Sequence, residues 1–264
     1  MTLPKPTGST TEVVITGASS GIGTELARVL ATRGYSLFLV ARRQDRLDAL
    51  ADELHAEHGV GVMVRPCDLA DAAQRQSLIE ELRARPVAGL INNAGFGTSG
   101  AFHTLPMDRE REQVELNVVA VQELTHAVLP GMVERGAGAV LNVASVVAFQ
   151  PMPSMATYGA SKAFVNSFSE AVHEELRGTG VSCTSLCPGP VPTEWAEIAS
   201  AHEFSLRPAQ VSPADVAAQA VDGMQAGARQ VIPGTVVKLM AITGAITPHA
   251  LLLPALRLAR RALG

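Results

Sequence analysis

The chain has 264 residues, 47% hydrophobic and 17% charged, with a formal net charge of −4. That suits one α/β domain with a sizeable core and a sheet buried on both faces, while a second full domain would be a squeeze. The acidic balance, with no Lys/Arg cluster interleaved with aromatics, argues against nucleic acid as a partner.

Residues 1–11 are polar, with Pro4 and Pro6, and read as a disordered leader rather than a targeting peptide. Apolar runs suited to buried parallel strands follow near 12–16, 36–41, 60–65, 88–92, 139–144, 181–187 and 229–232. Helical patterns lie between them near 22–33, 44–58, 71–84, 107–135, 156–178 and 213–226. This alternation predicts right-handed crossovers and a single doubly wound, Rossmann-like parallel sheet of about seven strands over residues 12–234. Ligands then bind beyond the carboxyl ends of the strands, where the strand order reverses.

The first strand runs into Thr16-Gly17-Ala18-Ser19-Ser20-Gly21-Ile22-Gly23, ahead of helically spaced Leu26, Ala27, Val29 and Leu30. Strand, glycine turn and helix form the context of a pyrophosphate site at a helix N-terminus. The second strand ends in Ala41-Arg42-Arg43, where an acidic residue would accept from a ribose 2′-hydroxyl and a guanidinium would hold a 2′-phosphate. NADP(H) is therefore favoured over NAD, although Arg42 and Arg43 also suit the start of a solvated helix with Asp45 and Asp48 as partners.

Tyr158 and Lys162 stand four residues apart, with Ser145 thirteen residues upstream. In a helix that spacing puts phenol and ammonium on one face. A neighbouring cation favours phenolate, so the tyrosine could exchange a proton near neutral pH, and Ser145 could hold an oxygen against it.

These residues, with Asp68, Asn92-Asn93-Ala94-Gly95, Asn117 and Pro188-Gly189-Pro190-Val191-Pro192-Thr193, resemble the short-chain dehydrogenase/reductase family in order and separation. The resemblance covers about residues 11–233. It implies hydride transfer between a nicotinamide and a carbonyl or secondary alcohol, with Tyr158 as general acid or base and Ser145 polarising the substrate oxygen. Lys162 would lower the tyrosine pKa and bond the nicotinamide ribose, and the backbone at Asn117 would help hold a relay water. For the cofactor it implies the glycine turn (Gly17, Ser19, Ser20, Gly21, Ile22, Gly23) and Asp68 and Leu69 beside the adenine. Asn93, Ala94 and Gly95 would lie along the adenine ribose, and Pro188, Gly189, Val191 and Thr193 at the nicotinamide. It further implies a homo-oligomer, dimer or tetramer, built on the two long helices. A nucleotide-binding sensor without turnover is the alternative, since a fold does not by itself confer function.

Phe96, Val146, Val147, Phe149, Met152 and Met155 should wall the site, and Trp195, Ile198, Phe204 and Leu206 should form a lid over an apolar ketone, aldehyde or alcohol. Cys67, Cys183 and Cys187 have no paired spacing and no secretory signal ahead of them, which points to a reducing cytoplasm and buried thiols. The seven scattered histidines suggest no metal site. Residues 235–264 extend past the family core. From Leu239 to Leu256 no residue carries a formal charge with His249 neutral, and Gly244, Pro248 and Pro254 break any continuous span. Packing on the domain or at an interface is favoured for this tail over contact with a membrane surface.

Overall fold

The structure, a computed structural model, describes residues 2–6, 12–194 and 210–263. Seven parallel strands form one sheet: β1 (Glu12–Thr16), β2 (Ser36–Ala41), β3 (Val62–Pro66), β4 (Val87–Asn92), β5 (Gly138–Val143), β6 (Val181–Leu186) and the two-residue β7 (Gln230–Val231). Their order is β3-β2-β1-β4-β5-β6-β7, so the winding reverses between β1 and β4. The crossovers are α1 (Gly21–Thr32), α2 (Gln44–His58), α3 (Ala72–Arg83), α4 (Met107–Val114) leading to α5 (Ala120–Arg135), α6 (Ala156–Glu175) and α7 (Pro213–Ala226).

Alternation along the strands separates two cores. Val13 and Ile15 of β1 pack with Leu26 and Leu30 of α1 and Val216 and Val221 of α7. Val14, between them, faces the opposite layer with Phe38, Leu90, Leu124 and Val128. Strands covered on both faces are apolar throughout, which is why they read as continuous runs.

Three expectations change. Residues 2–6 are not a loose leader: Leu3 is buried in the first core, Thr2 Oγ1 lies 2.7 Å from Ser182 Oγ, and the Gly138 N–H donates to the Thr2 carbonyl at 3.1 Å. One buried leucine anchors a segment whose polar composition suggested disorder. The helix expected over 107–135 is interrupted by a π turn at Glu115–Val119, and that over 156–178 ends at Glu175. The expected lid residues Trp195, Ile198, Phe204 and Leu206 lie outside the described residues.

The extension folds into α8 (Thr235–Ile246) and α9 (His249–Leu263), separated at Thr247 and Pro248. Val237 and Ala241 of α8 pack against Val146, Phe149 and Ile232, beside the expected site.

Candidate active site

The motifs gather at the carboxyl edge of β1, β4, β5 and β6. Gly17 and Gly21 hold φ of +65° and +57°, left-handed backbone that glycine adopts without a Cβ penalty. At Gly23 the reason is space: a Cβ there would lie 2.2 Å from the Gly17 carbonyl oxygen and 2.6 Å from Asn93 Nδ2. Ser20 precedes α1 without capping it through its side chain, so the first-turn N–H groups face the glycine turn. Ile22 packs on the core behind them. Asn93 Nδ2 donates to the carbonyls of Thr16 (3.0 Å) and Gly17 (3.1 Å), while Thr16 Oγ1 accepts from the N–H groups of Asn93 and Ala94, both at 3.0 Å. These bonds lock the ends of β1 and β4 into one floor. Below it, Asn92 Nδ2 donates to Asn142 Oδ1 at 2.9 Å and Asn142 Nδ2 to Ser169 Oγ at 3.0 Å, tying the central strands to α6.

The two arginines separate in space. Arg43 reaches back to the glycine turn, donating to Ser19 Oγ from Nε (3.2 Å) and Nη2 (3.1 Å). Arg42 stays 65% exposed, and among the described residues its ion pairs are long approaches to Asp68 (3.9 Å) and Glu112 (3.8 Å). Asp68 Oδ1 accepts from the Ala70 N–H, and Leu69 is buried with its carbonyl bonded to Arg75. Glu194, which no sequence signal singles out, pairs with Arg43 (3.0 Å) and Arg46 (2.7 Å) across 151 and 148 residues. Those guanidiniums, Arg46 foremost, hold its carboxyl below the usual range. Pro188 accepts from the Val146 N–H at 2.9 Å, Gly189 continues from it, Val191 packs on the first core, and Thr193 sits against Gly21. An uncapped helix start, glycines that admit no side chain and an arginine beside Ser19 together fit a phosphorylated dinucleotide.

The expected catalytic residues converge on buried ground. Ser145 follows β5 and caps the 3₁₀ turn Val146–Phe149, its Oγ accepting from the Val147 N–H at 3.3 Å. Tyr158 and Lys162 share the buried face of α6, with Lys162 Nζ 5.8 Å from the Tyr158 ring centroid and donating to the Val143 carbonyl at 2.7 Å. Burial pushes the Tyr158 phenol well above its ordinary value, and a hydrogen bond with Ser145 opposes that. Burial also lowers Lys162 to about 8. The sequence expectation of a depressed phenol is thus reversed in the protein by itself, because desolvation of two buried groups outweighs a cation at this distance.

Asn117 sits inside the π turn, its side chain clasping Phe96 at both backbone groups: Nδ2 donates to the carbonyl at 2.9 Å and Oδ1 accepts from the N–H at 3.2 Å. It also bonds Ser161 Oγ at 3.1 Å. A Cβ on Gly95 would meet Asn117 Oδ1 at 3.0 Å and Lys162 Nζ at 3.4 Å, so the loop after β4 passes directly over both. Phe96, Val146 and Met155 are buried apolar walls, with Val147, Phe149 and Met152 half-buried beside them.

The short chain dehydrogenase family profile matches residues 11–203. The chain belongs to the short chain dehydrogenase family. Among solved structures, this family member is similar to a short-chain dehydrogenase from Sphingobium yanoikuyae in complex with NADPH, at 37% identity and a TM-score of 0.81, covering 89% of this chain and 93% of that one. It is also similar to a bulky-bulky ketone specific alcohol dehydrogenase from Comamonas testosteroni, at 30% identity and a TM-score of 0.78, covering 97% and 94%. Sulfoacetaldehyde reductase 2 of Chromohalobacter salexigens is 40% identical over 187 residues, 69% of this chain and 73% of the relative. In this short chain dehydrogenase the candidate residues Gly95 and Ser145 follow β4 and β5. An apolar cleft of about 570 Å³, lined by Phe149, Pro151, Met152, Ala156, Gly159 and His249 among others, runs along α6; it shares Phe149 and Met152 with the walls named above and includes none of the catalytic candidates.

Proposed function

We propose that this short chain dehydrogenase reduces apolar ketones or aldehydes with NADPH, using Tyr158 as the proton donor. The observation that carries the reading is the convergence of Ser145, Tyr158, Lys162 and Asn117 beside the glycine turn. NADPH, when bound, supplies the hydride. Gly17, Ser19, Gly21, Gly23, Asn93, Arg43, Val191 and Thr193 would hold it. The NADPH complex of the Sphingobium relative supports the choice of cofactor.

Each side chain has a definable task. Ser145 Oγ accepts from the Val147 N–H and is hydrogen-bonded to Tyr158, and its hydroxyl proton would turn toward a substrate carbonyl oxygen placed between them. Tyr158 keeps its proton at neutral pH because burial disfavours phenolate, and releases it to the oxygen as negative charge grows there. The Lys162 ammonium, charged below about pH 8, stabilises the phenolate left behind. The π turn departs from the regular helical ladder at Asn117, which supports a role for that backbone in holding the water that returns the proton. The apolar walls and the bulky-ketone relative support a hydrophobic substrate. Exposed Met107 and Val114 on α4, with Phe164 on α6, support a homo-oligomer through these helices, and the three free, buried cysteines fit a reducing cytoplasm.

The test is NADPH oxidation over a panel of apolar ketones and aldehydes, with Tyr158→Phe alongside. We expect turnover that falls by about 10²–10⁴ in the variant, the usual weight of a positioned acid, while NADPH binding is kept. Turnover surviving in Tyr158→Phe would refute the mechanism. NADPH binding without turnover on any substrate would favour the sensor.

A further inference from the structure

We propose that α8 and α9 form a docking surface for an anionic phospholipid bilayer, on which the protein lies as a peripheral guest. The helix α8 buries Val237, Ala241 and Gly244 on one side. On the other it presents Leu239 (61% exposed), Ile242 (56%) and Ile246 (73%), spaced as one outward stripe. A helix apolar all round is normally covered on all sides. Leu251 (68%) and Leu258 (64%) are likewise exposed on α9.

Charge selects what covers it. Residues 223–264 contain no Asp or Glu and five Lys/Arg, whereas residues 1–222 carry the other 16 cations and all 25 acids. The last 42 residues are therefore +5 on a body of −9. Lys238 flanks the stripe on α8 and Arg257 is exposed on α9. A second copy meeting this face isologously would set cation against cation with no carboxylate of the tail to pair them. Anionic headgroups supply the missing charge, and the acyl boundary supplies cover for the leucines and isoleucines. At about 1.5 Å per residue the helices are roughly 18 and 22 Å long, shorter than a hydrocarbon core of about 30 Å. No described helix is long and apolar enough to cross a membrane, so the pair lies in the interface plane.

The experiment is co-sedimentation of the full chain with vesicles of phosphatidylcholine alone and of phosphatidylcholine with 30% phosphatidylglycerol (roughly the composition at which surface charge dominates), at low and high salt. The variants are Leu239→Asn/Ile242→Asn and Lys238→Glu/Arg257→Glu, with size-exclusion mass measurement of each. We expect binding to the anionic vesicles only, weakened by salt and lost in the first variant. In the second it should fall by at least tenfold, since each cation at such a surface contributes roughly a fivefold factor. Failure of the wild type to sediment with either vesicle would overturn the proposal. So would sedimentation that both variants retain, or a self-association that the first variant abolishes without any vesicle binding, which would make the face a contact between copies.

Discussion

Replacing Arg43 with Ala tests the assignment of the cofactor's 2′-phosphate most directly. The substitution removes the guanidinium that reaches Ser19 Oγ at 3.1 and 3.2 Å and Glu194 at 3.0 Å. A hydrogen bond to a charged group is worth about 1.5–3 kcal/mol. Arg43 is 38% exposed, so solvent screens part of that, and a loss of about 1–2 kcal/mol is the expected scale. NADPH should then bind roughly 5- to 30-fold more weakly, while NADH, with a hydroxyl at that position, should change by less than about threefold. Arg42→Ala should have the smaller effect, because the Arg42 side chain is 65% exposed and comes no closer than 3.8 Å to a described carboxylate. Glu194→Gln should move the other way, since a carboxylate no longer competes for Arg43. Fluorescence titration of NADPH and NADH against the three variants reads all of this. Equal losses for both cofactors in Arg43→Ala, or a larger loss in Arg42→Ala, would refute the reasoning.

Two further outcomes concern stability. Lys162 is lowered to about 8 in the fold, whereas an unfolded lysine stays protonated to about 10.4. Between these values the unfolded chain binds more protons, so wild-type stability rises with pH relative to Lys162→Met, which has nothing there to titrate. The gain is up to about 3 kcal/mol and should appear as several degrees in the difference between melting temperatures from pH 8 to 10.5. A constant difference across that window would refute a depressed lysine. Leu3→Ala should cost about 2–5 kcal/mol in denaturant unfolding, since Leu3 is buried beside Gly89 and would sit 2.9 Å from a Cβ there. A change under about 0.5 kcal/mol would mean that residues 2–6 are not part of the core.

Periodicity and punctuation determined the sheet, the succession of its helices and the edge on which the candidate site is placed. Buried parallel strands must be apolar throughout, and the turn after β1 needs glycine for left-handed backbone at Gly17 and Gly21 and for close approach at Gly23, so both leave local marks. Tyr158 and Lys162 were equally legible, because one helical turn fixes which side chains share a face. Tertiary structure decided what depends on distant neighbours. Glu194 reaches Arg43 across 151 residues, and Leu3 finds its core through a strand more than eighty residues away, so neither leaves a trace in a local window. The direction of the Tyr158 and Lys162 shifts also had to wait for the fold, because desolvation depends on everything packed around a group, whereas spacing reveals only its nearest charge.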